Sequence, residues 1–243
     1  MTVPIFLHGW TMRGSVFDPV LAELGGVAPD LPGHGDRRGT ANIQACTDLL
    51  RDTLCGTGPT VIVGWSMGAA IAWNYIAQNG TAGITGLITL DMSPKPVNTP
   101  DWPHELIGQT PERQSATTRE IHDNWPQAAE KIATTMFATK SAAPGFSRDQ
   151  ALTQILSNDP EVMAGYWDEL MALDLRDVID NIDVPYLVGY GGQSRVYPAS
   201  TAAWLAQTAP HAQLQCFAQS GHSPHLEEPE TFVSVVKEFS AAL

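Results

Sequence analysis

The segment Thr60-Val61-Ile62-Val63-Gly64-Trp65-Ser66-Met67-Gly68 constrains this chain most, because it joins a β-branched run to an alanine-rich helical stretch through a single serine. A sharp strand-to-helix turn holds such a serine in a strained backbone conformation and lifts its hydroxyl above the sheet edge. Side chains two residues before and after must then be small, which glycine at 64 and 68 provides. The first helical amides and the positive end of the helix dipole lie behind the serine, ready to receive developing negative charge. Ser66 is therefore the candidate nucleophile, and the backbone N–H of Met67 is a candidate oxyanion donor. The five-residue pattern alone recurs by chance, so its weight comes from the strand before it and the helix after it.

Short apolar runs bounded by Gly, Pro or Asp recur at residues 3–7, 26–29, 60–65, 86–91, 186–190 and 213–217. Helical patterns fall between them at 17–24, 43–54, 67–78, 200–208 and 229–243. Such alternation predicts an α/β fold with a mostly parallel, doubly wound sheet. It breaks once, over residues 93–183, where helical spacing continues without a convincing strand. We expect residues 1–92 and 184–243 to form the core and residues 93–183 a helical lid. The lid segment holds Trp102, Trp125, Phe137, Phe146, Tyr166 and Trp167, which either line a pocket or form the lid's own small core. Trp65, Trp125 and Phe137 are the candidate pocket residues.

Composition narrows the class of function. A formal net charge of −13 repels polyanions and argues against nucleic acid as a partner. No apolar run approaches membrane-spanning length, and the chain enters its first predicted strand at Val3 without a basic flank, so a cytoplasmic location and no membrane partner are expected. Cys46, Cys55 and Cys216 are irregularly spaced, with no C-x-x-C pair, and read as reduced, half-buried thiols. Neither a metal nor a cofactor is implied.

A serine nucleophile needs a base on a neighbouring loop. Gly221-His222-Ser223-Pro224-His225 follows the last predicted strand and precedes the last helix, which can bring His222 over Ser66; His225 is its competitor. The third group should be a carboxylate at a strand end. The loop over residues 189–198 contains no acid, whereas Asp91 ends the strand after the elbow helix and would emerge at the same sheet edge as Ser66. Asp91 is thus the candidate orienting acid, with a turn or helix-cap role before Ser93-Pro94 as its alternative. His8-Gly9-Trp10 follows the first strand, and the backbone N–H of Trp10 is the second candidate oxyanion donor. His8 and His34 read as structural loop residues.

These motifs occur in the order and spacing of a known group: the chain resembles the α/β-hydrolase superfamily over essentially its whole length. The likeness rests on His8-Gly9-Trp10, Asp30-Leu31-Pro32-Gly33-His34-Gly35, Gly64-Trp65-Ser66-Met67-Gly68 and Gly221-His222. Ser93-Pro94 and Asp174-Leu175-Arg176 before Val184-Pro185 make it similar to serine carboxylesterases of the pimeloyl-acyl-carrier-protein methyl ester esterase type. The resemblance implies an α/β-hydrolase fold and ester hydrolysis. Three departures accompany it. Only seven residues precede His8, so the sheet should lack two strands at its N-terminal edge. The acid has moved to the central strand. The esterase type also carries an arginine-rich lid face for an acyl carrier protein, whereas residues 93–183 hold seven basic and fifteen acidic residues, which argues against that partner.

The expected function is a serine carboxylesterase acting on a small to medium ester through an acyl-enzyme. Two alternatives stay open: a cofactor-independent dioxygenase of the hydroxyquinolone type, whose members also place an acid after the central strand, and a non-catalytic receptor on a hydrolase scaffold.

Overall fold

The β-branched and aromatic runs form one five-stranded sheet: β1 (Val3–Leu7), β2 (Thr60–Trp65), β3 (Ile84–Leu90), β4 (Tyr186–Gly191) and β5 (Ala212–Phe217), side by side in that order and all parallel. Strands covered on both faces have no polar side to alternate with, and β2 is buried at every position. β5, at the edge, exposes Leu214. The computed structural model describes residues 3–104 and 106–243; residues 1 and 2, where the expected core begins, and residue 105 of the expected lid lie outside the described residues.

The expected strand at 26–29 is reduced to one bridge, Val27 to Ile5, in which the Phe6 N–H donates to Val27 O at 2.8 Å. Gly25 and Gly26 have φ of 67° and 98°, and Pro29 follows closely, so only one residue keeps extended pairing geometry. That bridge still matters. It lies on the opposite side of β1 from β2, so strand order reverses direction at β1. A crevice opens beyond the strand ends at such a reversal, and ligands bind there in doubly wound sheets.

Helices α1 (Asp18–Leu24), α2 (Ile43–Cys55) and α3 (Met67–Asn79) follow the first strands; α2 packs on α3. Next come α4 (Pro111–Asp123), α5 (Trp125–Thr135), α6 (Arg148–Leu156) and α7 (Pro160–Ala172). Each starts on a local stop signal: Thr110, Ser147 and Asp159 cap α4, α6 and α7 through their side chains, and Pro126 enters α5 in its first turn. These four helices pack on one another, α4 on both α5 and α7 and α5 on α6. The short α8 (Arg176–Ile179), although within the expected lid, packs against α3 of the core. The chain closes with α9 (Ala199–Thr208), α10 (Pro224–Glu227) and α11 (Pro229–Ala241), the last packing against α1.

The cysteines differ from expectation. None is half-buried: Cys46 is buried, Cys55 and Cys216 are exposed, and all three are free. Cys46 sits inside the α2 interface with Sγ 3.1 Å from Tyr166 Oη, and burial pushes its thiol up to about 12. Among the described residues no helix is long and apolar enough to cross a membrane.

Candidate active site

Ser66 stands between β2 and α3 with φ 51° and ψ −120°, a conformation that costs an L residue about 1–3 kcal/mol. The flanking glycines explain how the turn closes. A Cβ on residue 64 would stand 2.6 Å from the Ala69 nitrogen, and one on residue 68 would stand 2.1 Å from Leu7 O. Main-chain bonds hold the strained residue, with the Ser66 N–H donating to Leu90 O at 2.9 Å. Four non-glycine residues among those described have positive φ: Thr11, Ser66, Asp91 and Ala142. The first three follow the ends of β1, β2 and β3 and converge on one crevice. Strain of this kind persists only where the surrounding structure enforces it.

Asp91 directly follows β3 and is 4% exposed. Its Oδ2 lies 2.6 Å from His222 Nδ1 and also accepts from Ser194 Oγ at 2.6 Å, while Gly191 N–H donates to Oδ1 at 3.4 Å. An Nδ1–H donated to this carboxylate leaves Nε2 as the free, basic nitrogen of His222. The loop after β4, which lacks an acid, thus supplies a hydroxyl to the acid that β3 provides. Ser194 was invisible as a partner in the sequence, where serines are common and no spacing distinguishes it.

Two further residues hold His222 from its backbone. Trp65 Nε1 donates to His222 O at 2.6 Å. Glu227, on α10, accepts from the Gly221 and Ser223 amides through Oε2 at 2.8 and 3.2 Å, and from the Ala138 amide of the lid segment through Oε1 at 2.6 Å. Burial raises the Glu227 carboxyl above the usual range, opposed by those three amides. The carboxylate five residues beyond the histidine is the sequence signal that would have found it.

His225 has a different environment. It is 1% exposed, packed against Phe17, Trp65 and Phe232, and neither ring nitrogen has a hydrogen-bond partner among the described residues. Burial lowers it to about 3, so it is neutral near pH 7. His8 and His34 are buried loop braces: His8 Nε2 accepts from Leu31 N–H at 2.9 Å and His34 Nε2 from Thr11 N–H at 3.3 Å. Desolvation lowers both, His34 to about 4, and keeps them neutral acceptors.

A cavity of about 380 Å³ lies between the strand ends and the lid helices, and Ser66, His222 and Trp10 all line it. That size is typical of small-molecule sites. Its core-side walls include Met12, Trp65, Met92 and Tyr197, and its lid-side walls Ile132, Met136, Trp167, Leu170 and Met171. Met67 opens α3 with its side chain fully buried and is not among the described walls of the cavity. Of the expected pocket residues, Trp65 lines the cavity. Trp125 and Phe137 are not among its described walls. Trp125 stands behind Trp10, edge-on with ring centres 6.0 Å apart, and Phe137 is buried where the lid meets the His222 loop. Both belong to the packing layer: Trp125 opens α5 and Phe137 lies two residues beyond its end, and both are buried. Two polar ties join lid and core beside the cavity: Trp10 Nε1 donates to Met163 O at 3.1 Å, and Asn158 Nδ2 to Thr11 O at 2.8 Å.

The profile of the alpha/beta hydrolase family matches residues 5–235 of this sequence. The chain is 29% identical to the pimeloyl-[acyl-carrier protein] methyl ester esterase of Vibrio parahaemolyticus, over 97% of this chain and 93% of that protein. It is also 29% identical to the enzyme of that name from Nitrosomonas europaea, covering 95% and 92% of the two chains. Among solved structures, the esterase EaEST from Exiguobacterium antarcticum superposes with a TM-score of 0.89 at 20% identity, over 98% of this chain and 91% of that one. A bromoperoxidase from Bacillus anthracis gives the same TM-score at 17% identity, over 99% and 92%. Likeness at these identities speaks to the fold.

Proposed function

Because the chain belongs to the alpha/beta hydrolase family, we propose that it is a serine carboxylesterase cleaving a small to medium carboxylic ester through an acyl-enzyme. The observation that carries this reading is the 2.6 Å bond from His222 Nδ1 to the buried Asp91, with Ser66 strained at the elbow of the same cavity. Ser66 Oγ attacks the ester carbonyl while His222 Nε2 takes its proton. Asp91 fixes the imidazole tautomer and stabilises the imidazolium, and Ser194 shares the load on Asp91 by donating to the same oxygen. The Trp10 and Met67 amides hold the oxyanion, each such donor contributing about 3 kcal/mol to the transition state. His222 then protonates the leaving alcohol, activates a water, and returns the proton as the acid departs. The reaction needs no metal or cofactor.

In this reading residues 1–92 and 184–243 are the catalytic core and residues 93–183 the lid, with α8 serving the core. The relatives are named for an ester on an acyl carrier protein. We assign a free small ester here, because a lid segment with seven basic and fifteen acidic residues repels an acidic carrier. A cytoplasmic location belongs to the same proposal.

The test is hydrolysis of p-nitrophenyl esters of increasing acyl length by the protein and by Ser66→Ala. Turnover should fall by about 10⁶ in kcat in the variant. A folded protein that hydrolyses none of the esters but consumes oxygen with a hydroxyquinolone would replace the esterase with the dioxygenase. Tight ligand binding without turnover of any kind would leave a receptor.

A further inference from the structure

The cavity walls carry a charge pattern opposite to that of the chain. The protein has 26 acidic and 13 basic residues, yet among the described residues lining the cavity there is no aspartate or glutamate, while Lys131 and Arg195 both line it. Lys131 is already matched, its Nζ 2.5 Å from Glu120 Oε2. Arg195 has no carboxylate partner among the described residues. Its Nη2 donates to the carbonyls of Thr134, in the last turn of α5, and of Phe137, just beyond it, which pins the guanidinium between the loop after β4 and the lid. An arginine presents five N–H donors. The N–H groups on Nε and Nη1 therefore have no protein partner among the described residues.

Arg195 follows Ser194, whose hydroxyl touches Asp91. This exposed cation shares the cavity with the candidate nucleophile and base, Ser66 and His222. The walls they share are largely apolar, with Ile132, Met136, Val196 and Tyr197 among them beside a few threonines and Gln109. Such a space suits a hydrocarbon chain with an ester at one end and an anion at the other.

We propose, building on the esterase reading above, that the cavity selects esters bearing a carboxylate remote from the scissile bond, with Arg195 as the residue that binds it. A guanidinium already held by two carbonyls loses little freedom on taking a carboxylate, and its fork matches the two oxygens. The net charge of −13 opposes an approaching anion. At physiological ionic strength, however, charges beyond about 8 Å are largely screened, so the direct contact decides.

The experiment compares kcat/KM for two matched pairs. Monomethyl adipate against methyl hexanoate places the carboxylate on the acyl side; 6-acetoxyhexanoate against hexyl acetate places it on the alcohol side. The acid should win by about tenfold or more in one pair, chiefly through KM, as expected for a hydrogen bond to a charged group. Arg195→Gln should abolish that preference, and Arg195→Lys, a point charge without the fork, should keep part of it. Neutral esters turned over without preference for either acid would overturn this inference and leave the esterase standing. A preference unchanged in both variants would overturn it too, because Arg195 would then only strap the lid. No turnover of any of the four would overturn the esterase reading and this inference with it.

Discussion

The strand ends and the lid meet at one cavity but are held by different means. At the strand ends, Thr11, Ser66 and Asp91 take strained left-handed backbone positions; the Asp91 carboxylate meets His222, Ser194 and the Gly191 amide, and the Thr11 N–H donates to His34. In the lid, ordinary capped helices present Ile132, Leu170 and Met171 to the cavity and are tied to the core through a few bonds such as those from Trp10 and Asn158. The contrast separates two kinds of precision. Placement at the strand ends is set by backbone geometry and, in the proposed reading, serves reaction; placement in the lid is set by side-chain packing and in that reading serves selection. Substitutions at the first should change kcat, and substitutions at the second should change KM.

Asp91→Asn is the severest way to break this comparison short of removing the nucleophile. Shape is kept but the tautomer is not, and kcat should fall by about 10⁴ with KM little changed. A fall no larger than tenfold would mean that His222 is oriented by something else. Glu227→Gln should cost about 10–100-fold in kcat, because an amide cannot accept from all three of the Gly221, Ser223 and Ala138 N–H groups. An effect confined to thermal stability would reduce Glu227 to a brace for the lid junction.

His225→Phe tests the packing beneath the site. His225 is lowered to about 3 in the folded protein from 6.5 in the unfolded chain, so the unfolded state binds its proton first. Stability is therefore lost as pH falls below 6.5, by about 2 kcal/mol at pH 5 from this residue alone. His225→Phe should abolish that part of the acid sensitivity while leaving turnover near neutral pH, as thermal melts between pH 7 and pH 5 would show. The smallest effect is expected in the lid. Met171→Ala should change KM for longer acyl chains by less than about tenfold and leave kcat for short ones alone.

The strand ends were legible in the sequence because their geometry has local causes. Glycine at 64 and 68 is demanded by contacts with residues a few positions away or on the next strand, so the pentapeptide announces the turn. Asp91 could be read from its place after an apolar run, and His222 from its place after the last strand. What stayed hidden was non-local. Ser194 reaches Asp91 across 103 positions, and Arg195 meets the lid through carbonyls, which leave no mark in a sequence. The strand expected at 26–29 failed because two glycines with positive φ outweighed its apolar character. Residue type points Trp125 and Phe137 to the pocket, but which lid side chains meet the cavity is decided by how the lid lands on the core.

The most direct test of the account is a stopped-flow trace of p-nitrophenyl butyrate in excess over the enzyme, with a sample quenched during the burst and mapped by peptide mass spectrometry. The account predicts a burst of one p-nitrophenol per active chain and a butyryl group on the peptide containing Ser66, both absent in Ser66→Ala. A folded protein that turns over the ester with no burst and no acyl group on Ser66 would contradict it.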